Sequence, residues 1–320
     1  MKRILTLILA AVMVVGTLAG CQSQPKQEEP VAAEEPAEAP VEEPAEAPVE
    51  EPAEEPAEEP AEEPVEEPVE SADIQVFIAA SLNTVMTEVA AAFKEENPDI
   101  NVVFNADSSG TLLTQIQEGF ECDIFFSAAQ KQMDTLEEDG LVIPDSRANV
   151  VNNQVVVISY KDSGTAVTGL ENLKDAKNIA LAGGSVPVGR YTRVALMKLG
   201  LVPEVEKPEE IATAQISEAL SGVEISEQDN VSKVLIAVSE QSCEVGTTYY
   251  SDTYGYEDEV DVLQTVGYDL TGDVIYPIAL VENDQATDAQ IEAAKKFHEF
   301  VLSDTATEIF KAFYFDTNVE

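Results

Sequence analysis

Basic residues, histidine and cysteine are all scarce in this chain of 320 residues. Lys and Arg together number 17 against 62 Asp and Glu, which gives a formal net charge of −45. The field of such a chain repels nucleic acid and anionic lipid surfaces, so neither is expected as a partner. The chain has one histidine, His298, and three cysteines, Cys21, Cys122 and Cys243. These ligands are too few for a zinc site, and we expect no metal site and no cofactor.

Only the N-terminus resembles a targeting segment. Met1-Lys2-Arg3 followed by the apolar run Ile4 to Ala19 predicts a signal peptide over residues 1–20, and the run is too short for a functional membrane span. Leu18-Ala19-Gly20-Cys21 resembles a lipobox, so the mature chain would begin at a lipidated Cys21 on the outer face of a membrane. The alternatives are a plain signal peptide with a chance cysteine and an uncleaved anchor.

Residues 21–71 combine Cys21 with a stalk of low complexity. Glu28 to Glu70 consists almost wholly of Glu, Pro, Ala and Val and holds 19 of the 62 acidic residues. Such a segment has too little apolar surface to offset its ordering entropy, so we expect a stiff, disordered spacer. At about 3.1 Å per residue it could span on the order of 130 Å. Binding of a basic partner or calcium by the acidic repeat is the alternative.

Strand and helix patterns alternate over the rest of the chain. The predicted strands are Ile74–Ala79, Ile100–Asn105, Asp123–Ser127, Val150–Tyr160, Asn178–Ala182, Val245–Tyr250 and Asp273–Val281, and the predicted helices are Leu82–Asn97, Thr111–Glu118, Gln130–Glu138, Gly189–Lys198, Asn230–Glu240, Ala286–Leu302 and Thr305–Phe313. This order predicts an α/β fold with parallel-rich sheets. The stretch Val202 to Gln228 has no clear pattern.

Two connecting strands predict a hinge between two lobes. The long strand Val150–Tyr160 would carry the chain out of the first lobe, and Asp273–Val281 would return it. We therefore expect lobe 1 to comprise residues 72–153 and 274–320, and lobe 2 residues 154–273. Cys122 and Cys243 precede predicted strands on opposite outer sides, so both are expected to be free thiols.

Five segments place small or hydroxyl-bearing residues where a strand runs into a helix, and none places a lysine there. They are Ala80-Ser81-Leu82, Ser108-Ser109-Gly110-Thr111-Leu112, Val186-Pro187-Val188-Gly189, Asn230-Val231 and Gly246-Thr247-Thr248-Tyr249. A helix N-terminus presents unpaired amides and a partial positive charge, so several such corners facing one point would hold a small oxyanion. The negative charge of the chain does not prevent this, because surface charges are screened within about 10 Å while hydrogen bonds act at contact.

Several of these segments resemble, in order and spacing, the molybdate-binding proteins of bacterial ABC importers, a branch of the type II periplasmic-type solute-binding proteins. The resemblance runs from Asp73 to the C-terminus and rests on Val76 to Leu82, Ser109 to Ile116 continuing through Asp123 to Ala128, Val186 to Tyr191, Gly246 to Asp252 and Tyr276 to Ala279. It implies a two-lobe fold, an ABC permease as partner and a small oxyanion, molybdate or tungstate, as ligand. We expect a monomer without enzymatic activity.

The resemblance implies a binding set of two serine hydroxyls, backbone amides and one phenol. By motif match these are Ser81 and Ser109, the amides of Ser81, Ser109, Val188 and Val231, and the hydroxyl of Tyr249. Each residue also has a plain structural alternative. The serines would be helix N-caps, the valines ordinary first-turn residues, and Tyr249 a core aromatic with an internal hydrogen bond.

Three charged or titratable residues and one acidic cluster carry further expectations. Arg190, one step into its helix, is expected to pair with surface acids, with contact to the anion or a role in lobe closure as the alternative. Asp107 must be paired or point away from a bound anion. His298 is expected to be exposed. The cluster Glu257-Asp258-Glu259 with Asp261 lacks the spacing of a calcium loop and is expected to be solvated.

Three other functions fit the sequence less well. The ligand could be another oxyanion, such as sulfate or thiosulfate, because selectivity depends on small differences in cavity size. An extracellular hydrolase using Ser81 or Ser109 would need a general base, yet the chain has one histidine and no G-x-S-x-G segment. A structural or adhesive surface protein would show no stabilisation by a small ligand.

Overall fold

Two five-stranded sheets flanked by helices form the part of the chain described by the computed structural model, residues 71–319. The predicted signal peptide, lipidation site and stalk lie outside these residues. The strands are β1 Ala72–Ala79, β2 Ile100–Asp107, β3 Ile124–Phe126, β4 Ala148–Asn153, β5 Val155–Tyr160, β6 Asn178–Ala182, β7 Glu224–Gln228, β8 Val245–Tyr249, β9 Val260–Thr265 and β10 Val274–Leu280. The helices are α1 Asn83–Glu96, α2 Ser109–Gln117, α3 Gln130–Glu138, α4 Pro187–Lys198, α5 Thr213–Ala219, α6 Val231–Ser239, α7 Tyr268–Thr271, α8 Asp288–Val301 and α9 Asp304–Ala312.

The first sheet has the strand order β2-β1-β3-β10-β4 and defines lobe 1. Strands β1, β2 and β3 are parallel, and β10 runs antiparallel to both β3 and β4. The inner strand β1 is buried over most of its length because helices cover both faces of the sheet. The carboxyl ends of β1, β2 and β3 therefore lie at one edge, where ligands of such sheets bind.

The second sheet has the order β7-β6-β8-β5-β9 and defines lobe 2. Strand β6 is parallel to β7 and β8, whereas β5 is antiparallel to β8 and β9. Helix α6 packs on β8, and a side chain at Gly246 would come within 2.8 Å of Val234, so a glycine is needed for this close packing. The carboxyl ends of β6 and β8 lead into α4 and into the turn Tyr250–Thr253.

The predicted single strand Val150–Tyr160 is wrong: the chain changes sheets in its middle, between β4 and β5. Side-chain amides replace strand pairing at this point. Asn152 Oδ1 accepts from the amides of Asn153 and Val274, each at 2.8 Å, and Asn153 Oδ1 accepts from the Gln154 amide at 2.9 Å. The apolar run continues on both sides of Gln154, so the hydrophobic pattern by itself predicts one strand rather than two.

The remaining predicted elements agree with the structure to within a few residues. The strand β9 and the short helix α7 were not predicted, and the unassigned stretch Val202 to Gln228 contains α5 and β7. Among residues 71–319, no helix is both long and apolar enough to cross a membrane.

Aromatic residues of the two C-terminal helices, α8 and α9, pack against the core of lobe 1. The ring of Phe93 in α1 meets Phe297 and Phe300 of α8 edge-on, with centroids 5.0 and 5.4 Å apart. Phe310 of α9 meets Phe126 of β3 in the same way at 6.1 Å. Such edge-to-face pairs add to the stabilisation from area burial, and they attach the last two helices to lobe 1.

The prediction that His298 is exposed is wrong. It is buried in α8 on the same face as Ala294, Phe297 and Val301, at the spacing of a helical stripe. Burial lowers the pKa of its imidazole, and a hydrogen bond with the Ser146 backbone opposes that shift. The expectation of free thiols is confirmed, since Cys122 and Cys243 are both unpaired and buried.

Candidate functional site

Ser81 lies in a short turn of 3-10 helix, Ala80–Leu82, which joins the carboxyl end of β1 to α1. Its side chain caps no helix; instead its hydroxyl shares a hydrogen bond of 2.9 Å with the hydroxyl of Tyr276 in β10. Asn153 donates to the same Tyr276 oxygen at 3.3 Å. The capping alternative for Ser81 is therefore wrong, and the residue is buried beside the strands that link the lobes.

Ser109 is the first residue of α2 and is fully buried. The cap is its neighbour Ser108, whose hydroxyl accepts from the Thr111 amide at 3.2 Å. The Ser109 hydroxyl oxygen instead accepts from the Ala128 amide at 2.9 Å, just beyond β3. A hydroxyl that already accepts keeps its own hydrogen to donate, so Ser109 can give both an amide and an O–H to an anion.

Val188 lies in the first turn of α4, after Pro187 at the first helical position. First-turn amides have no partner within the helix, so the Val188 amide is available at this corner. A side chain at Gly189 would lie 2.1 Å from the Gly183 carbonyl oxygen, so the helix can begin this close to the preceding loop only with glycine there.

A buried guanidinium stabilises the same corner from behind. Arg193 donates to the carbonyls of Ala182 and Gly189 and to that of Ile211, each at 2.9 Å. Burial lowers the pKa of its side chain, and Glu227 opposes that shift. The residue was missed in the sequence, because an arginine in a helix is usually exposed and no local signal marks it as buried.

Val231 is the first residue of α6, and Asn230 caps the helix by accepting from the Lys233 amide at 3.0 Å. The Asn230 side-chain amide also donates to Asp107 of lobe 1 at 3.2 Å. Asp107 accepts in addition from the Ser108 amide at 2.7 Å. Asp107 is thus paired, as the sequence required for a site that holds an anion.

Tyr249 ends β8 and is buried, yet its hydroxyl has no hydrogen-bond partner among the described residues. The ring packs edge-on against Tyr276 with centroids 5.8 Å apart. Burial raises the pKa of the Tyr249 phenol well above its usual value, and neighbouring Tyr276 adds to the shift. The phenol is therefore neutral and buried; its hydroxyl makes no hydrogen bond of acceptable geometry, although the Tyr276 hydroxyl lies near enough to contribute to the raised pKa.

Contacts between the lobes bring these corners together. The Ser232 hydroxyl, beside Val231, donates to the Ala80 carbonyl at 3.4 Å. A side chain at Gly110, beside Ser109, would meet the Ser185 carbonyl oxygen of lobe 2 at 2.7 Å. The corners of Ser81 and Ser109 on lobe 1 thus face those of Val231 and Val188 on lobe 2, and Tyr249 is joined to Ser81 through Tyr276.

Besides Asp107, a second carboxylate, Asp252, lies next to this group. It accepts from the Thr248 hydroxyl at 2.7 Å and from the Tyr249 amide at 2.9 Å. Burial raises its pKa to about 6, and the two hydrogen bonds limit the rise. Asp252 also borders a cavity of about 180 Å³ between the lobes, which touches Ser81 but is not lined by Ser109, Val188 or Tyr249. No group of residues suited to a metal ion occurs within residues 71–319.

Residues 74–316 match the family described as bacterial extracellular solute-binding protein. The molybdate-binding protein ModA of Escherichia coli K12 is 32% identical over 253 residues, which cover 76% of this chain and 88% of that protein. YvgL of Bacillus subtilis, named as an ABC transporter substrate-binding lipoprotein, is 27% identical over 76% of this chain and 85% of its own length.

Solved structures of two solute-binding proteins are also similar to this chain. The substrate-binding domain named for a molybdenum ABC transporter of Clostridium difficile has a TM-score of 0.56 and 30% identity, covering 78% of this chain and 99% of that one. The periplasmic molybdate-binding protein of Azotobacter vinelandii has a TM-score of 0.62, with coverage of 76% and 98%; at 18% identity it supports the fold alone.

Proposed function

The chain belongs to the family of bacterial extracellular solute-binding proteins, and on that premise we propose that it captures a tetrahedral oxyanion, molybdate or tungstate, between its lobes for an ABC permease. Family membership makes it a solute-binding protein rather than an enzyme. The resemblance and the two-lobe α/β fold inferred from the sequence are both confirmed.

The observation that carries the proposal is the unpartnered hydroxyl of Tyr249. A buried hydroxyl without an acceptor is costly, and native structures rarely leave one in place. An oxyanion oxygen would accept this hydrogen together with that of Ser109, whose oxygen is already occupied by the Ala128 amide. The relatives named as molybdate-binding proteins support the choice of ligand.

The binding set we propose is the one indicated by the sequence: the hydroxyls of Ser81, Ser109 and Tyr249, and the amides of Ser81, Ser109, Val188 and Val231. Each hydrogen bond to a charged group contributes roughly 1.5 to 3 kcal/mol net. After the costs of association and closure, about seven donors give a dissociation constant in the micromolar to nanomolar range. Donors from both lobes give the closed state its preference for ligand.

The proposal extends to the location of the protein. The lipobox-like Leu18-Ala19-Gly20-Cys21 supports a lipid anchor at Cys21, and one relative carries the word lipoprotein in its name. The stalk would then hold a monomeric two-lobe domain away from the membrane surface, within reach of the permease.

Isothermal titration with molybdate, tungstate, sulfate and phosphate tests the proposed ligand. We expect tight binding of molybdate or tungstate, and a loss of roughly tenfold or more in affinity for Tyr249→Phe, which removes one donor. Tyr254→Phe removes a hydroxyl of the same lobe that is outside the proposed binding set and keeps the ring that packs on Phe313, so it is the matched control and should bind as the parent does. No heat with either metal oxyanion would overturn the assignment, whereas tight binding of sulfate alone would replace the ligand within the same class.

A further inference from the structure

Lys131 and Glu209 form an ion pair that joins the two lobes. Lys131 lies in the first turn of α3 in lobe 1, and Glu209 lies in a turn of 3-10 helix, Pro208–Glu210, that packs on α4 in lobe 2. Among the ion pairs formed by residues 71–319, this is the one that crosses the cleft; the others link residues of the same lobe.

Both partners are close to corners of the proposed binding site. Lys131 lies three residues after Ala128, whose amide donates to the Ser109 hydroxyl. On the other side, a side chain at Gly184 would lie 2.0 Å from the Glu209 carbonyl oxygen, so the Glu209 turn packs directly on the loop that leads into Val188. The ion pair thus connects the segment behind Ser109 to the segment behind Val188.

Arg190 of α4 is the second cation near Glu209. Its Nε lies 3.4 Å from Glu209 Oε2, within ion-pair distance but without hydrogen-bond geometry. Burial tends to raise the pKa of Glu209, but the hydrogen bond from Lys131 and the charges of Lys131 and Arg190 outweigh this and lower it. Glu209 therefore stays ionised at neutral pH and is held toward lobe 1 between two cations.

The geometry points to Lys131 and Glu209 as positioning residues that hold the lobes together over the ligand and so set its rate of release. This inference rests on the proposed function, since release is measured with the proposed oxyanion. Neither residue is assigned a contact with the ligand. Arg190 acts within lobe 2 by orienting Glu209, which refines the expectation that it pairs with surface acids.

The expected effect is on dissociation rather than association. The pair exists only when the lobes are in contact, so it stabilises the closed state and must break before the ligand leaves. The side chains of Lys131 and Glu209 are 46% and 21% exposed, so solvent screens the pair and its contribution is modest. Salt should weaken it further, since exposed charges are screened within a Debye length.

Stopped-flow kinetics with molybdate on the mature protein and on Lys131→Gln tests the inference. The variant should release molybdate about two- to fivefold faster, with little change in the association rate and an unchanged melting temperature without ligand. Raising NaCl from 20 to 300 mM should speed release from the parent but much less from the variant. Glu209→Gln should reproduce this behaviour, and the double variant should add little, because both changes remove one contact.

Lys295→Gln is the matched control. Lys295 is also 46% exposed and pairs with Glu292 inside α8, so the substitution makes the same change in net charge away from the cleft. Release from this variant should equal that from the parent. If the parent binds molybdate and Lys131→Gln releases it at the parental rate, the inference is wrong; if the parent binds no metal oxyanion, the proposed function fails first. Equal acceleration by Lys295→Gln would also refute it, because net charge rather than the interlobe contact would then be the cause.

Discussion

Asp252 and Tyr249 are three residues apart, and burial raises the pKa of both side chains. Both acids are held in their neutral forms more strongly than in water: the pKa of Tyr249 is well above its usual value, and that of Asp252 is about 6. The groups facing Asp252 are Thr248, Tyr249 and Tyr276, none of which is cationic. At pH 7 the Tyr249 phenol is therefore neutral, whereas a carboxyl with a pKa of about 6 is mostly ionised, and hydrogen bonds from Thr248 and the Tyr249 amide hold its charge.

The raised pKa of Asp252 predicts a specific pH dependence of stability. Between about pH 4 and pH 6 the folded protein holds a proton on Asp252 that the unfolded chain has lost, so this group makes stability fall as pH rises and then level off. The free energy of unfolding of the parent, relative to Asp252→Asn, should fall by about 1 to 3 kcal/mol across that window, toward the lower figure because the residue is partly exposed.

Denaturant unfolding of both proteins at several pH values measures this difference. Asn keeps an oxygen that can accept from Thr248 and Tyr249, so the comparison isolates the titration rather than the hydrogen bonds. Glu209 titrates with the opposite sign but is common to both proteins and cancels. A difference that stays flat from pH 4 to pH 7 would show that Asp252 titrates normally.

At the scale of elements, the loop between β6 and α4 is the most constrained part of the candidate site. It is packed between Gly110 of lobe 1 and the Glu209 turn of lobe 2, and Arg193 binds the carbonyls at its two ends. Backbone packed on backbone cannot move aside as a flexible side chain can. The position of the Val188 amide therefore depends on glycines that make no contact with a ligand themselves.

Gly184→Ala should disturb this loop, whereas Gly183→Ala should not. The new methyl group at Gly184 would lie 2.0 Å from the Glu209 carbonyl oxygen, but at Gly183 its nearest neighbour is the end of the Glu227 side chain at 3.4 Å. We expect Gly184→Ala to lower the free energy of unfolding by about 1 to 3 kcal/mol and to weaken oxyanion binding. Gly183→Ala should stay within about 0.5 kcal/mol of the parent.

Thermal or denaturant unfolding, followed by titration with molybdate, compares the two variants. Equal stability and affinity in both would mean that the Glu209 turn moves away freely, and the loop would then not be held as described.

At the scale of the whole molecule, the net charge of the protein has the same sign as the charge of the proposed ligand. Residues 72–320 contain 43 acidic against 14 basic residues, formally −29. Attraction from a distance therefore cannot bring the anion to the cleft, and the binding energy must come from short-range hydrogen bonds.

This predicts that the association rate of molybdate rises with ionic strength. Salt screens the repulsion between protein and anion, so the rate should increase by roughly two- to fivefold between 20 and 200 mM NaCl. Stopped-flow measurement over that range checks the prediction, with the salt kept to chloride because sulfate could compete. A rate that falls as salt is added would indicate an attractive patch at the cleft mouth.

The sequence predicted most elements and the corners of the site, but not which side chains remain free. The sequence offered Ser109 as a possible cap of α2, but the structure assigns the cap to Ser108 and leaves Ser109 with a hydrogen to donate, because the Ala128 amide that holds Ser109 is distant in sequence. His298 was predicted exposed because its neighbours are polar, yet the helical stripe of α8 buries it.

Hydrophobic alternation, helix boundaries and the hydroxyl-bearing corners are local properties, and the sequence by itself determined them, together with the family resemblance and the acidic charge. Tertiary structure alone decided the Ser81–Tyr276 hydrogen bond and the Lys131–Glu209 pair, whose partners are 195 and 78 residues apart in the sequence. Contacts at such separations depend on how the two lobes fold and meet. No local pattern encodes them, because each partner is compatible with many surroundings until the chain has closed on itself.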